Sequence, residues 1–185
     1  HGVAMVTELL RDPVWLNAIR LGLVLLFGAA GWQKWRNLPG FTAILHSYAL
    51  LPGRLVRPAA LLLPCLELAA AAGLLIPVAP LFAAVLGAFL LLTYATVMAV
   101  SLFKGQRIAD CGCHFGVQRQ AVSAALVWRN LLLLLLALNL LQTPFGRTMG
   151  IYDGLTVGAV LLCGCVLYQL ANSLIANQQT ARELS

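Results

Sequence analysis

From Leu81 to Phe103 the chain runs twenty-three residues without one Asp, Glu, Lys or Arg, and a stretch of that kind leaves few folds open. A helix that crosses ~30 Å of hydrocarbon needs about 20 mostly apolar residues, and lipid offers no partner for an unpaired backbone N–H or C=O. Four further segments meet the same requirement, so the predicted spans are 14–32, 55–76, 81–103, 120–141 and 155–175. Pro13 suits the first turn of a helix, Trp32, Lys34 and Trp35 mark an interfacial end, and Pro77 and Pro80 make a turn between the second and third spans. Composition agrees: 10% of the 185 residues are charged, where a soluble domain carries roughly a quarter. The expected fold class is an all-α integral membrane protein, a bundle of four to five transmembrane helices in one domain over 5–185. Residues 1–4 read as a cloning remnant before a native start at Met5. No cleavable signal peptide follows Met5, so the first span is expected to stay in the membrane.

The connection from Trp35 to Arg54 carries Phe41, Ile44, Leu45 and Tyr48 at helical spacing. That pattern predicts a short amphipathic helix in the interface after the first span, with an apolar-flecked loop as the plainer alternative. The net charge of +6 is spread over loops rather than gathered in a block. It therefore points to a lipid surface and a topology signal, not to nucleic acid. No phosphate-binding loop, dinucleotide fingerprint or Ser-His-Asp order is present. The side reached after the first crossing, side B, receives Lys34, Arg36, Arg54, Arg57, Lys104, Arg107, Arg119 and Arg182, against Arg11 and Arg147 opposite. Eight against two places side B in the cytoplasm by the positive-inside rule. The expected location is the bacterial inner membrane, crossed several times.

The chemistry concentrates in Asp110-Cys111-Gly112-Cys113-His114-Phe115-Gly116, a polar loop between two apolar spans on side B. Two thiols one glycine apart can exchange electrons as a disulfide or hold a soft metal ion. A disulfide across one residue departs from relaxed geometry and so is easily reduced, and His114 would raise the thiolate fraction. As metal ligands, Cys111, Cys113 and His114 suit copper(I), zinc or mercury, though three adjacent ligands cannot by themselves enclose zinc tetrahedrally. Two unpaired thiols that happen to be close are the third reading. Cys163-Gly164-Cys165 repeats the pattern within the fifth span, where residues two apart point to nearly opposite sides. These two and Cys65 read as small buried hydrophobes or as secondary thiols.

Depth groups the remaining polar residues. At ~1.5 Å per residue, Arg129 and Tyr94 fall near 14 Å from side B, Cys65, Cys163 and Cys165 at about 15 to 18 Å, and Glu67 near 18 Å. Ionisable groups inside a bilayer are costly alone and mark either a pair or a function. Glu67 is the one carboxylate placed within the spans, so a Glu67–Arg129 ion pair is expected. The same layer could form a polar pocket in which Arg129 or Tyr94 binds a membrane quinone or Arg129 stabilises a thiolate, with Glu67, Arg129 and His114 modulating the loop cysteines.

Lys34-Trp35-Arg36, Phe41, Tyr48, Leu51-Pro52, Leu63-Pro64-Cys65-Leu66-Glu67, the Cys-Gly-Cys-His-Phe-Gly run and Arg129-Asn130 together resemble the methylamine utilisation protein MauE family, within the DoxX-like small helical membrane proteins. The resemblance covers roughly residues 14–142. One departure is visible: His114 stands between the second loop cysteine and Phe115, where the family pattern reads Cys-x-Cys-Phe-Gly. The resemblance implies a role beside a periplasmic thioredoxin-like partner in maturing disulfide-rich enzymes such as methylamine dehydrogenase. The arrangement also looks like vitamin K epoxide reductase homologues, in architecture only. Three functional classes stay open here. One is a thiol–disulfide redox protein, in enzymatic terms a quinone-linked oxidoreductase; another is a carrier of a soft metal ion or small sulfur compound. A non-catalytic anchor for a partner enzyme is a third. The charge count opposes a periplasmic loop, since cytoplasmic thiols seldom form stable disulfides.

Overall fold

A computed structural model of the chain describes residue 8 and residues 10–76, 80–105, 123–143 and 149–183. Its elements are α1 (Pro13–Arg36), α2 (Leu38–Ser47), α3 (Gly53–Leu75), α4 (Pro80–Phe103), α5 (Ala124–Asn139) and α6 (Ile151–Glu183), with no strand among the described residues. Four helices are long and apolar enough to cross a membrane: α1, α3, α4 and the Ile151–Ile175 part of α6. The protein is a multi-pass membrane protein. The fifth expected span, α5, is apolar but has only 16 residues, about 24 Å of helix.

Local chemistry sets these boundaries. Asp12 caps α1 by accepting from the Val14 N–H at 2.8 Å, with Pro13 in the first turn. Asn37 caps α2 through the Gly40 N–H at 3.2 Å. The interfacial helix predicted between the first two spans is α2; it buries Phe41, and Tyr48 just after its end is also buried, while Ile44 and Leu45 are half-buried. The fourth span was expected over 120–141, but α5 begins at Ala124 because Ser123 is extended (φ −140°, ψ 161°). It closes on tighter i→i−3 bonds from the Leu140 and Leu141 N–H groups, both at 3.1 Å. The last span was expected over 155–175, and α6 outruns it at both ends. Asp153 accepts from the Gly150 N–H at 2.8 Å, and after Gly164 no Gly or Pro interrupts the helix through Glu183.

Helix α1 packs along α3 and α6, α4 lies between α3 and α5, and α2 folds back on α3. Two apolar clusters result. The larger joins Ile19, Leu23 and Phe27 of α1 to Ala70, Ala71 and Leu74 of α3, to Ala83–Leu91 positions of α4 and to Ala137 of α5. The smaller joins Met98 of α4 and Leu126 of α5, with Val127 and Ile175 against it. Between them, at one level on every long helix, lie Lys34, Glu67, Tyr94, Arg129, Asn130, Tyr168 and Asn172. Of the residues expected to share a layer, Glu67, Tyr94 and Arg129 line one cavity.

One cation within the spans has a structural task. Arg20 on α1 reaches the C-terminal end of α3, where its Nε donates to the Leu74 carbonyl and its Nη2 to the Leu75 carbonyl at 3.0 Å. Helix ends leave carbonyls without partners, and a cation there also meets the negative end of the helix dipole. Arg20→Met is expected to cost about 1–3 kcal/mol, read by denaturant titration in detergent micelles. A loss no larger than that of an exposed α1 substitution would refute the capping role.

Candidate functional site: a buried ion network between the helices

The site follows from which face each helix buries. Along α1 the inward positions run Leu16, Ile19, Leu23, Phe27, Gly31, Lys34, in steps of three and four. Lys34 thus points inward, 3% exposed, while its neighbours Trp32 and Trp35 face outward. On α3 the inward series is Val56, Ala60, Pro64, Glu67, Ala70 or Ala71, Leu74, which puts Glu67 at 1% exposure opposite Lys34. Gly31 permits the approach: a Cβ there would lie 3.0 Å from Leu68 Cγ, 3.1 Å from the Pro64 carbonyl and 3.2 Å from Glu67 Cβ. Small residues bring membrane helices this close.

Lys34 Nζ donates to Glu67 Oε1 in a buried salt bridge. Tyr94 of α4 donates its hydroxyl to the same oxygen at 2.7 Å and accepts from Lys34 Nζ at 3.2 Å. The ammonium also stands over the rings of Tyr94 (4.6 Å to the centroid) and Phe41 (5.3 Å). Lipid supplies nothing to offset a charge, and among the described residues the ammonium meets a carboxylate, a hydroxyl and two ring faces.

This arrangement corrects the expected Glu67–Arg129 pair. Lys34 was placed at the interfacial end of the first span, and its four-carbon stem instead carries the ammonium into the bundle. Arg129 is held by neutral groups: its Nη1 donates to Asn172 Oδ1 at 3.0 Å, and its guanidinium lies 5.5 Å from the centre of the Tyr168 ring. Beside it, Asn130 donates to the Leu126 carbonyl at 3.0 Å and touches Met98 Sδ at 3.6 Å. Glu67, Tyr94, Arg129, Asn130 and Tyr168 line one small cavity with Leu26, Phe27, Ala30, Leu91 and Leu133, offering about 20 Å³ to a water-sized molecule. That is the volume of one water.

The thiols are not brought to this layer. Cys65, Cys163 and Cys165 are free and exposed on the outer surface of the bundle, which corrects their reading as buried hydrophobes. On α6 the inward series is Val157, Leu161, Tyr168 and Asn172, and residues 163 and 165 fall outside it. The helix runs unbroken through Cys163-Gly164-Cys165, so these two cannot pair. Cys111, Cys113 and His114 lie outside the described residues, as do 120–122 of the expected fourth span. Among the described residues no three His, Cys, Asp or Glu side chains gather as a metal site would require.

Lys34, Asn172 and Tyr168 are the network members that sequence reasoning missed. The three-and-four spacing from Leu16 through Gly31 to Lys34 was the available signal for the first.

Several membrane-crossing helices closed around an ion network mark a multi-pass helical membrane protein whose buried charges sit at one level. The chain belongs to the Methylamine utilisation protein MauE family, whose model matches residues 12–143. It is 36% identical over 178 residues to the Methylamine utilization protein MauE of Paracoccus denitrificans, covering 95% of this chain and 94% of that one. It is 35% identical over 173 residues to that of Methylorubrum extorquens, covering 86% and 93%. With the protein of Paracoccus versutus the identity is 35% over 164 residues, covering 88% and 87%. No solved structure matches the chain.

Proposed function

We propose that this protein acts in methylamine utilisation as an inner-membrane thiol–disulfide redox protein. In this reading Cys111 and Cys113 exchange with a thioredoxin-like periplasmic partner and support maturation of disulfide-rich enzymes such as methylamine dehydrogenase. A thiolate of the pair attacks a sulfur of the partner's disulfide, a mixed disulfide forms, and one partner thiolate leaves. The second loop thiolate then displaces the other partner sulfur, so the loop pair ends oxidised and the partner reduced; the reverse direction uses the same bonds. His114 would raise the thiolate fraction, and a membrane quinone or a second thiol pair is the class of electron partner proposed. The observation that carries this reading is the course of α6. A continuous helix removes Cys163 and Cys165 as a disulfide, and Cys65 stands alone on α3. Of the five cysteines, Cys111 and Cys113 are the other two that lie close together in sequence.

The test is a chain that keeps Cys111 and Cys113 as its only cysteines, labelled in intact cells with a membrane-impermeant maleimide. Labelling only after mild reduction is expected, and Cys113→Ser or Cys111→Ser should trap a mixed disulfide with the partner. A double Cys111→Ser, Cys113→Ser variant is expected to lose partner oxidation or reduction entirely. Unchanged partner redox state in that variant would end the proposal.

A second reading is favoured by the charge distribution. With Lys34 buried, the count becomes seven cations on side B against two opposite, which still assigns side B to the cytoplasm. In that case Cys111, Cys113 and His114 would capture a soft metal ion or small sulfur compound for transport. Labelling seen only in broken membranes, with stoichiometric copper(I) binding lost in the double variant, would select it.

A further inference from the structure

Glu67 Oε2 and Arg129 Nε are buried, and among the described residues neither has a hydrogen-bond partner. One is an acceptor with negative charge and the other a donor with positive charge, and their residues line the same water-sized space. An unsatisfied charged group in hydrocarbon is expensive, and a cavity holds water when it is polar, roomy enough and offers two to four partners.

We infer that this cavity is a binding site for a single water molecule, which accepts from Arg129 Nε–H and donates to Glu67 Oε2. The carboxylate then serves two cations: Lys34 directly at Oε1 and Arg129 through water at Oε2. The link joins Lys34 of α1, Glu67 of α3 and Tyr94 of α4 to Arg129 of α5, and through Arg129 to Asn172 and Tyr168 of α6. Among the described residues, the titratable groups that line the cavity or touch Glu67 are Lys34, Tyr94, Arg129 and Tyr168. Glu67 is accordingly a positioning residue for Arg129, in the place expected of an ion pair but one water removed. The site is independent of the loop cysteines and stands whether or not they exchange disulfides.

The wild-type full chain in lipid nanodiscs provides the test, by X-ray hydroxyl-radical footprinting in ¹⁸O-water, which labels side chains beside bound water. Tyr94 and Tyr168 are expected to take label several-fold above Phe89, a lipid-facing aromatic at 61% exposure. Ala30→Val, which adds two methyl groups at the cavity wall, is expected to bring both tyrosines down to the Phe89 level. Label on the tyrosines no higher than on Phe89 would overturn the inference, and so would label that survives Ala30→Val in a chain that still folds. A Glu67→Gln and Arg129→Gln double-mutant cycle reads the same link by thermal melting. The double variant should lose much less than the sum of the two single losses, and additivity would count against the bridge.

Discussion

Lys34→Met is expected to destabilise the protein by about 3–5 kcal/mol, because it strands a carboxylate that is 1% exposed. The loss arises from what remains rather than from what is removed. Glu67 would keep the Tyr94 hydroxyl at 2.7 Å but lose the one cation in direct contact with it. Removing both charges together has the opposite sense: Lys34→Met with Glu67→Leu is expected to recover most of the loss, since a buried ion pair replaced by apolar residues of similar volume is often neutral or stabilising. Reversible unfolding in bicelles by SDS titration measures all three variants. A single variant that unfolds at the wild-type denaturant concentration would show that Glu67 is not held charged by Lys34. A double variant as unstable as the single would show that the pair has a task in packing that apolar side chains cannot take over.

Gly87→Ala is the second large effect. A Cβ at this position would lie 2.9 Å from Phe27 Cε2 and 3.3 Å from Cζ, closer than carbon atoms pack. Phe27 is 2% exposed and sits in the main apolar cluster with Leu23, Ala71 and Leu91, so its ring has no lipid-side space to enter. Helices α1 and α4 must separate or the ring must leave its rotamer, at a cost of about 1–3 kcal/mol. The same ring lines the polar cavity, so the displacement would reach the Glu67 layer. Phe27→Leu in the Gly87→Ala background should recover stability, read by the same SDS titration. If Phe27→Leu gives no recovery, the clash lies elsewhere.

Much of this architecture was legible one helix at a time. The charge-free run from Leu81 to Phe103, Pro13 at the start of the first span, and the spacing of Phe41, Ile44, Leu45 and Tyr48 are local signals, and α1, α2, α3 and α4 followed them closely. The ends of α5 and α6 were less legible. Ser123 fits a cap but does not demand one, and the polar tail beyond Ile175 carries no helix stop. The level of Glu67, Tyr94 and Arg129 was also readable, because rise per residue converts position into depth without any knowledge of neighbours. The partners were not readable. Depth says which residues share a layer, while pairing depends on which way each helix turns its face and how far a side chain reaches.

The sequence by itself therefore determined that this is a helical membrane protein with Glu67, Tyr94 and Arg129 at similar depth, and it singled out Cys111 and Cys113 as the expected exchanging thiols. Tertiary structure alone decided that Glu67 takes Lys34 directly, that Arg129 rests on Asn172 and Tyr168, and that Cys65, Cys163 and Cys165 face outward. The reason is physical. Secondary structure in lipid is set by backbone hydrogen bonding within each segment, whereas charge pairing is set by the rotation of packed helices, and only the assembled bundle fixes that rotation.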